Sequence, residues 1–423
     1  MERKKHIIIG CGTAGLSALK QLRKVNTEDH VTLVTMESHR PYSPTSLPYI
    51  ISGKISKPDI PMVMDDFFEQ MNAEWGRGKR VTSIDPKKCE VVYNSHSSDS
   101  YDSLLIATGS EPIRPSLPGL DHKQVFYLRT LDDAAALMNQ MDCSRTAVIL
   151  GAGLIGMHVA QCLAAKGIQV MVVEMLPRIV PAYFDPDASL MIQRVLEKHG
   201  VRFFTDSRAT GVAWAHTGVE VSLDGGDVVQ ADLLLVAAGV RPRTGFLKGS
   251  GIEIRDGITV NSEMRTNVSN IFAAGDVAEA RSFLTGKKGL NPILPNAAWQ
   301  GKVAGSNMAG QKMEYDGWLP MNTFNYFDHL AVSIGKAVPS EGDEALVETD
   351  ADDGYYRKII CTEDRMTGAA FLDTHVNAGV FQYLIRQKVP IGKHRKRLLA
   401  APRETGLWLM HQAEKKATIS REE

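Results

Sequence analysis

The stretch HIIIGCGTAGLSALKQLRK, residues 6–24, joins a short apolar run to a glycine turn and then to a helix-forming segment. A second β-like run, Val31 to Met36, follows and ends in Glu37. The order is therefore strand, glycine turn, helix, strand, acid. Gly10 permits the tight turn, Gly12 lets the backbone approach a pyrophosphate, and Gly15 lets the helix pack close to the strand. The helix start, Thr13–Ala14, presents free amides and a positive dipole end to phosphate, and Glu37 is placed to accept hydrogen bonds from an adenosine ribose.

The device returns in TAVILGAGLIGMHVAQCLAAKGIQVMVVEM, residues 146–175. Gly151, Gly153 and Gly156 open a helix with Leu154 and Ile155 at its start, and the next strand ends in Glu174, twenty-three residues after Gly151. One such motif is weak, because a helix–strand packing turn produces the same pattern; two copies, each with its acid, are specific. An acid at Glu174 hydrogen-bonds a 2′-hydroxyl and repels a 2′-phosphate, which predicts NAD(H) over NADP(H), with the nearby Arg178 able to soften the preference.

The whole chain is consistent with this. At 423 residues it exceeds one ordinary core, and 43% hydrophobic with 23% charged residues is the composition of a globular protein. A formal net charge of −1 argues against bulk binding to nucleic acid or membrane surface. The basic start followed by an apolar run superficially looks like a leader, but glycines interrupt it and no small-residue cleavage site follows. No later stretch is apolar for long enough to span a bilayer, so no membrane insertion is expected. Cys11, Cys89, Cys143, Cys162 and Cys361 are dispersed, without a close pair. Such a set suits a reducing cytoplasm and offers no obvious iron–sulfur or zinc site.

With these motifs the chain resembles the two-dinucleotide flavoproteins, the pyridine nucleotide–disulfide reductases and their relatives. LLIATGSEPI (104–113) and LLLVAAGVRP (233–242) resemble the strands that close the family's two nucleotide sections, and TNVSNIFAAGDVAEA (266–280) resembles its late flavin motif. The resemblance implies an α/β fold with two Rossmann-like domains, for FAD and NAD(H), and a C-terminal α+β interface domain. FAD would occupy residues 1–115 and 243–319, NAD(H) 116–242, and the interface domain 320–423, which in relatives usually makes a homodimer. It further places Ala107, Thr108, Gly109 and Gly239 at cofactor turns, Asp276 on the ribityl chain with Gly275 allowing close approach, and Val81 on the adenine edge. Ala298 and Trp299, at a helix start, would offer amides to the flavin pyrimidine ring.

The segment MESHRPYSPTSLPYII (36–51) should then run past the flavin, held rigid by Pro41, Pro44 and Pro48. Relatives similar to coenzyme A-disulfide reductase and water-forming NADH oxidase carry a reactive cysteine two residues before Leu-Pro-Tyr; here Leu47-Pro48-Tyr49 is present and that position is Thr45. A threonine forms neither mixed disulfide nor sulfenic acid, so cysteine-dependent chemistry is disfavoured. The rubredoxin- and ferredoxin-reductase pattern is matched only in part, with Pro44 and Tyr49 where its arginine and lysine stand. His158 occupies a position that is often acidic in relatives and lies near the nicotinamide. Packing roles for Thr45 and His158 stand beside catalytic ones. The layout looks most like the NAD-linked FAD subunit of a 2-oxoacid dehydrogenase complex of the phenylglyoxylate type, which implies an iron–sulfur protein or sister subunits as electron partners. A stand-alone NADH oxidase, a ferredoxin or rubredoxin reductase, and a cofactor-sensing interaction flavoprotein are the alternatives. Lys393, Arg395, Lys396, Arg397 and Arg403 cluster late in the chain, as an acidic partner's docking site or as a solvated tail.

Overall fold

A computed structural model describes residues 3–56, 59–215, 218–350 and 354–422. The chain gathers into two compact units, one of residues 1–113, 129–134 and 240–318, the other of 114–128, 135–239 and 319–423.

The first unit is built on a five-stranded sheet ordered Ile271–Ala273, Ser103–Ile106, Lys5–Ile9, His30–Thr35, Glu74–Arg77, with every pair parallel. Its central strands read as unbroken apolar runs because both faces are covered; Ile7, Ile8, Leu104, Leu105 and Ile106 are all buried. Helix Thr13–Val25 follows the first strand and lies against helix Leu294–Met308. That contact is made backbone to backbone. A Cβ on Gly301 would fall 2.1 Å from the Ala14 carbonyl oxygen, and one on Gly305 2.2 Å from that of Ala18.

At the amino ends of these strands the buried His6 ties three segments together. Its Nε2 lies 2.9 Å from Asp29 Oδ2 and its Nδ1 2.6 Å from Ser103 Oγ. An ionised carboxylate only accepts, so Nε2–H donates to Asp29 and Nδ1 accepts from the Ser103 hydroxyl. Serine, histidine and aspartate in this order resemble a hydrolytic relay, but all three are buried, and they serve as a clasp between strands and the turn after the first helix.

Beside a three-stranded antiparallel sheet of Ala209–Ala215, Gly218–Leu223 and Val228–Ala231, the second unit carries two five-stranded sheets. One is parallel, ordered Val201–Phe204, Gln169–Val173, Thr146–Leu150, Leu233–Val236, Val125–Phe126, with helix Leu154–Ala165 after its central strand. The other is antiparallel, ordered Met321–Tyr326, His329–Gly335, Arg365–Leu372, Tyr355–Thr362, Asp343–Asp350, and is followed by helices Ala378–Arg386, Arg395–Ala400 and Pro402–Glu422. Asp185 caps helix Pro186–Lys198 by accepting from the Ala188 amide at 3.0 Å, and it also accepts from the buried Lys358 and from the Tyr356 hydroxyl. The Lys358 ammonium donates in addition to the Ala337 carbonyl at 2.6 Å, so its buried charge is both paired and hydrogen-bonded.

The His6 clasp makes stability depend on pH. Burial holds the His6 pKa below its usual 6.5, against the opposing pull of Asp29. Below about pH 6.5 the unfolded chain therefore binds a proton that the folded chain refuses, and stability falls as the pH drops through that range. The unfolding midpoint of the wild type should decline between about pH 7.5 and 5. His6→Gln should start lower and decline less, so that the gap between them narrows; parallel curves in a calorimetric pH series would contradict this role.

Candidate functional site

The first strand stops at Ile9 because Gly10 takes φ +119, a conformation that side chains resist, and a Cβ there would sit 2.1 Å from the Ala107 carbonyl oxygen. Gly15 is required by its own turn: its Cβ would meet the Gly10 carbonyl oxygen at 1.9 Å, with Ile8 of the strand behind at 3.3 Å. Gly12 differs, since a Cβ there meets nothing within 4 Å. It caps helix Thr13–Val25, whose first amides, at Thr13, Ala14 and Gly15, have no acceptor within the helix. The second copy repeats this atom for atom. Gly151 takes φ +108 with its Cβ 2.5 Å from Ala237 O, Gly153 is open and caps helix Leu154–Ala165, and the Gly156 Cβ would lie 2.2 Å from Gly151 O.

In the first unit this turn opens onto a cavity of about 420 Å³, lined by Gly10, Gly12, Glu37, Val81 and the turn Ala107–Gly109, among others. An open glycine turn, a helix start without acceptors and a ribose-length acid at the end of the neighbouring strand fit a dinucleotide. Val81 begins the strand Val81–Asp85 at the rim. Gly109 takes φ +66, and Thr108 Oγ1 donates to the Arg243 carbonyl at 3.0 Å.

The two acids are held differently. Glu174 is buried, with Oε2 accepting from the Ala152 amide of its own glycine turn at 2.7 Å and Oε1 from Leu176 N at 2.9 Å. Glu37 is held by Tyr42, whose hydroxyl donates to Glu37 Oε2 at 2.6 Å and accepts from Leu131 N at 3.0 Å. Burial, followed by the bond to Glu37, pushes the Tyr42 pKa far up, so the hydroxyl keeps its proton and remains the donor. Arg178 lies in the second unit, where its Nη2 donates to Pro181 O at 3.4 Å.

Asp276 lies next to Gly275, which takes φ +83 and donates its amide to Gln300 Oε1 at 2.8 Å. The Asp276 carboxylate accepts from Ser110 Oγ at 2.8 Å and pairs with Arg129 Nη2 at 3.0 Å. Sequence reading missed Arg129, Gln300 and the anchoring role of Tyr42. A signal existed for Arg129 in the helix-start pattern of LRTLDDA, where Asp133 accepts from the Arg129 and Thr130 amides.

Several expected positions look different in three dimensions. Ala298 and Trp299 do not stand at a helix start: the helix begins at Leu294, with Pro295 in its first turn, so their amides fall in the second turn, where helical bonds engage them. Pro41, Tyr42 and Pro44 line the cavity, whereas Thr45, in the turn Pro44–Ser46, is exposed with Oγ1 2.7 Å from Ser43 Oγ. In the second unit the His158 ring packs edge-on against Phe324 at 4.8 Å, and burial pushes its pKa down to about 4. It is therefore neutral near pH 7. Gly239 takes φ +98 just after strand Leu233–Val236. In the late basic run Arg395 pairs with Glu344, while Lys393, Lys396, Arg397 and Arg403 are exposed. Among the described residues no group of His, Cys, Asp or Glu is assembled to hold a metal ion, and no helix is long and apolar enough to cross a membrane.

Comparison with known proteins adds to this geometry. The profile of the pyridine nucleotide-disulphide oxidoreductases matches residues 4–301, and that of the rubredoxin NAD⁺ reductase C-terminal domain matches residues 320–389. The chain is 37% identical to the NADH-dependent phenylglyoxylate dehydrogenase subunit epsilon of Aromatoleum evansii, over 97% of this chain and 98% of that one. It is 35% identical to an NADH oxidase of Methanocaldococcus jannaschii, over 73% and 71% respectively. The crystal structure of the ferredoxin reductase for the CYP199A2 system of Rhodopseudomonas palustris superposes with a TM-score of 0.82 at 25% identity, covering 88% of this chain and 91% of that one. With duplicated glycine turns, paired acids and a matched profile over more than half its length, the chain belongs to the pyridine nucleotide-disulphide oxidoreductases and is an FAD- and NAD(H)-dependent enzyme.

Proposed function

We propose that this chain is the NAD(H)-linked flavoprotein of a larger iron–sulfur enzyme acting on a 2-oxoacid, moving electrons between NAD(H) and an iron–sulfur carrier. The observation that carries this reading is the chemistry of the first cavity's thiols. Cys11 is the cysteine that lines it, and burial pushes that thiol up to about 12, far from the thiolate that disulfide or peroxide chemistry needs. Thr45 stands where related reductases keep a reactive cysteine. A protein relay for electron pairs is thus unsupported, and one-electron partners are favoured. Similarity along nearly the full length to a dehydrogenase subunit, and the rubredoxin reductase type of C-terminal section, point the same way.

When bound, FAD supplies the redox chemistry, exchanging hydride with NAD(H) and single electrons with the carrier. The residues of the chain bind and orient. Gly12 and the start of helix Thr13–Val25 receive the pyrophosphate; Glu37, fixed by Tyr42, receives the adenosine ribose; Asp276, fixed by Arg129 and Ser110, receives the ribityl hydroxyls. Gly153 and Glu174 do for NAD(H) what Gly12 and Glu37 do for FAD. Thr45 shares its hydroxyl with Ser43, and His158, neutral, lies beside Phe324.

Similarity to an NADH oxidase favours a second reading, a self-contained enzyme that returns electrons to oxygen. An anaerobic stopped-flow experiment separates the two: NADH should bleach the flavin quickly, an oxidised ferredoxin-type carrier should restore it quickly, and air should restore it slowly. Fast recovery in air would overturn the carrier reading. Tyr42→Phe should weaken FAD binding roughly 5–10-fold by freeing the Glu37 carboxylate, and an unchanged dissociation constant in a fluorescence titration would contradict the orienting role. Glu174→Ala should move the NADH-to-NADPH ratio of kcat/KM toward NADPH by on the order of tenfold; a fixed ratio would count against Glu174 as the ribose acid.

A further inference from the structure

The cavity of the first unit is lined by a cation that none of these roles uses. Arg243 follows strand Val240–Pro242, which pairs antiparallel with Ser110–Pro112. Its backbone is pinned on both sides: the amide donates to Gly109 O at 3.0 Å and the carbonyl accepts from Thr108 Oγ1. From this anchor the side chain lines the cavity and reaches Met36, with Nη1 3.4 Å from the thioether sulfur. Gly109 lies just beyond strand Ser103–Ile106 and Met36 just beyond His30–Thr35, the two strands that flank Lys5–Ile9. The side chain therefore runs from the loop after one flanking strand to the loop after the other, along the lining of the cavity that the Gly10–Gly12 turn also lines.

This cation is short of acceptors. Its Nε is buried without a hydrogen-bond partner. The nearest carboxylate oxygen, Glu111 Oε2, stands 3.9 Å away, beyond hydrogen-bond reach, and Glu111 is already held by Arg241 Nε at 2.9 Å. A thioether is a weak acceptor. Glu111 and Glu37 attract the charge while Arg129 and Arg80 repel it, and none of them occupies the Nε–H. A planar donor fork facing a dinucleotide cavity with a vacant N–H is suited to phosphate oxygens.

We propose that Arg243 is a cofactor-retaining residue whose guanidinium donates to the pyrophosphate of FAD above the Gly10–Gly12 turn and sets how slowly the dinucleotide leaves. The proposal rests on the reading of this cavity as the FAD site. A purely structural role, clamping Glu111, is poorly served by the 3.9 Å separation.

The test uses FAD-loaded protein, with release followed by the rise in flavin fluorescence after dilution. Arg243→Gln should release FAD ~10–100-fold faster, with Arg243→Lys between it and the wild type, and the melting temperature of the FAD-free protein should not change. In the FAD-free protein, Arg243→Gln should lose affinity for ADP and keep that for adenosine. Equal release rates overturn the proposal, as does equal loss for both probes, or a drop in the FAD-free melting temperature that matches the drop in retention. Gly12→Val distinguishes the underlying reading, because a Cβ there meets nothing within 4 Å and the added side chain would enter the cavity space beside the turn. If Gly12→Val abolishes FAD binding while Arg243→Gln releases FAD at the wild-type rate, the FAD site stands and Arg243 has no part in it. If Gly12→Val binds FAD normally, the site itself is misplaced and the proposal falls with it.

Discussion

The Ala107 carbonyl oxygen stands where a side chain on Gly10 would begin, and the Gly10 carbonyl oxygen stands where one on Gly15 would begin. Ala14 and Ala18, on the helix that Gly15 opens, meet Gly301 and Gly305 in the same way. These backbone contacts form a connected set. They bring strand, turn, helix and a segment nearly three hundred residues away into close contact, and of the turn's three glycines Gly12 is the one left facing open space. The second unit repeats the turn with Gly151, Gly153 and Gly156. One steric device therefore shapes both glycine turns, and the acids Glu37 and Glu174 inherit their places from the strand that follows each helix.

Much of this was legible in the chain because it is local. Three glycines at fixed spacing, an apolar run before them and an acid after the next strand are a short-range code, and the parallel strands Lys5–Ile9 and Thr146–Leu150 read as buried from their unbroken apolar character. What escaped is non-local. Arg129 belongs to a short excursion, residues 129–134, that joins the first unit from within the stretch leading to the second nucleotide motif. Its pairing with Asp276 spans 147 residues and leaves no local pattern. Gln300 and Tyr42 look like ordinary helix and turn residues until the Gly275 amide and the Glu37 carboxylate are placed beside them. The helix expected to present Ala298 begins at Leu294 because Pro295 favours a helix start, a preference that was visible but outweighed by resemblance.

The cysteines tie structure to chemistry. None is in a disulfide; Cys11 and Cys361 have thiols pushed up to about 12 and about 11 by burial, and Cys162 is buried as well. In a family whose name comes from disulfide chemistry, this chain keeps the two glycine turns, and its Thr45 is exposed with its hydroxyl shared with Ser43. On the proposed reading the fold supplies orientation and electrostatics for hydride transfer, and an external partner exchanges the single electrons.

The central claim is that FAD is the sole redox group of this chain. An anaerobic reductive titration with NADH, followed by the flavin absorbance and by a thiol count at the end point, tests it directly. Full bleaching is expected after uptake of one electron pair per FAD, with the same number of free thiols before and after. Uptake of a second pair, with new thiols appearing, would show that a cysteine couple takes part and would contradict it.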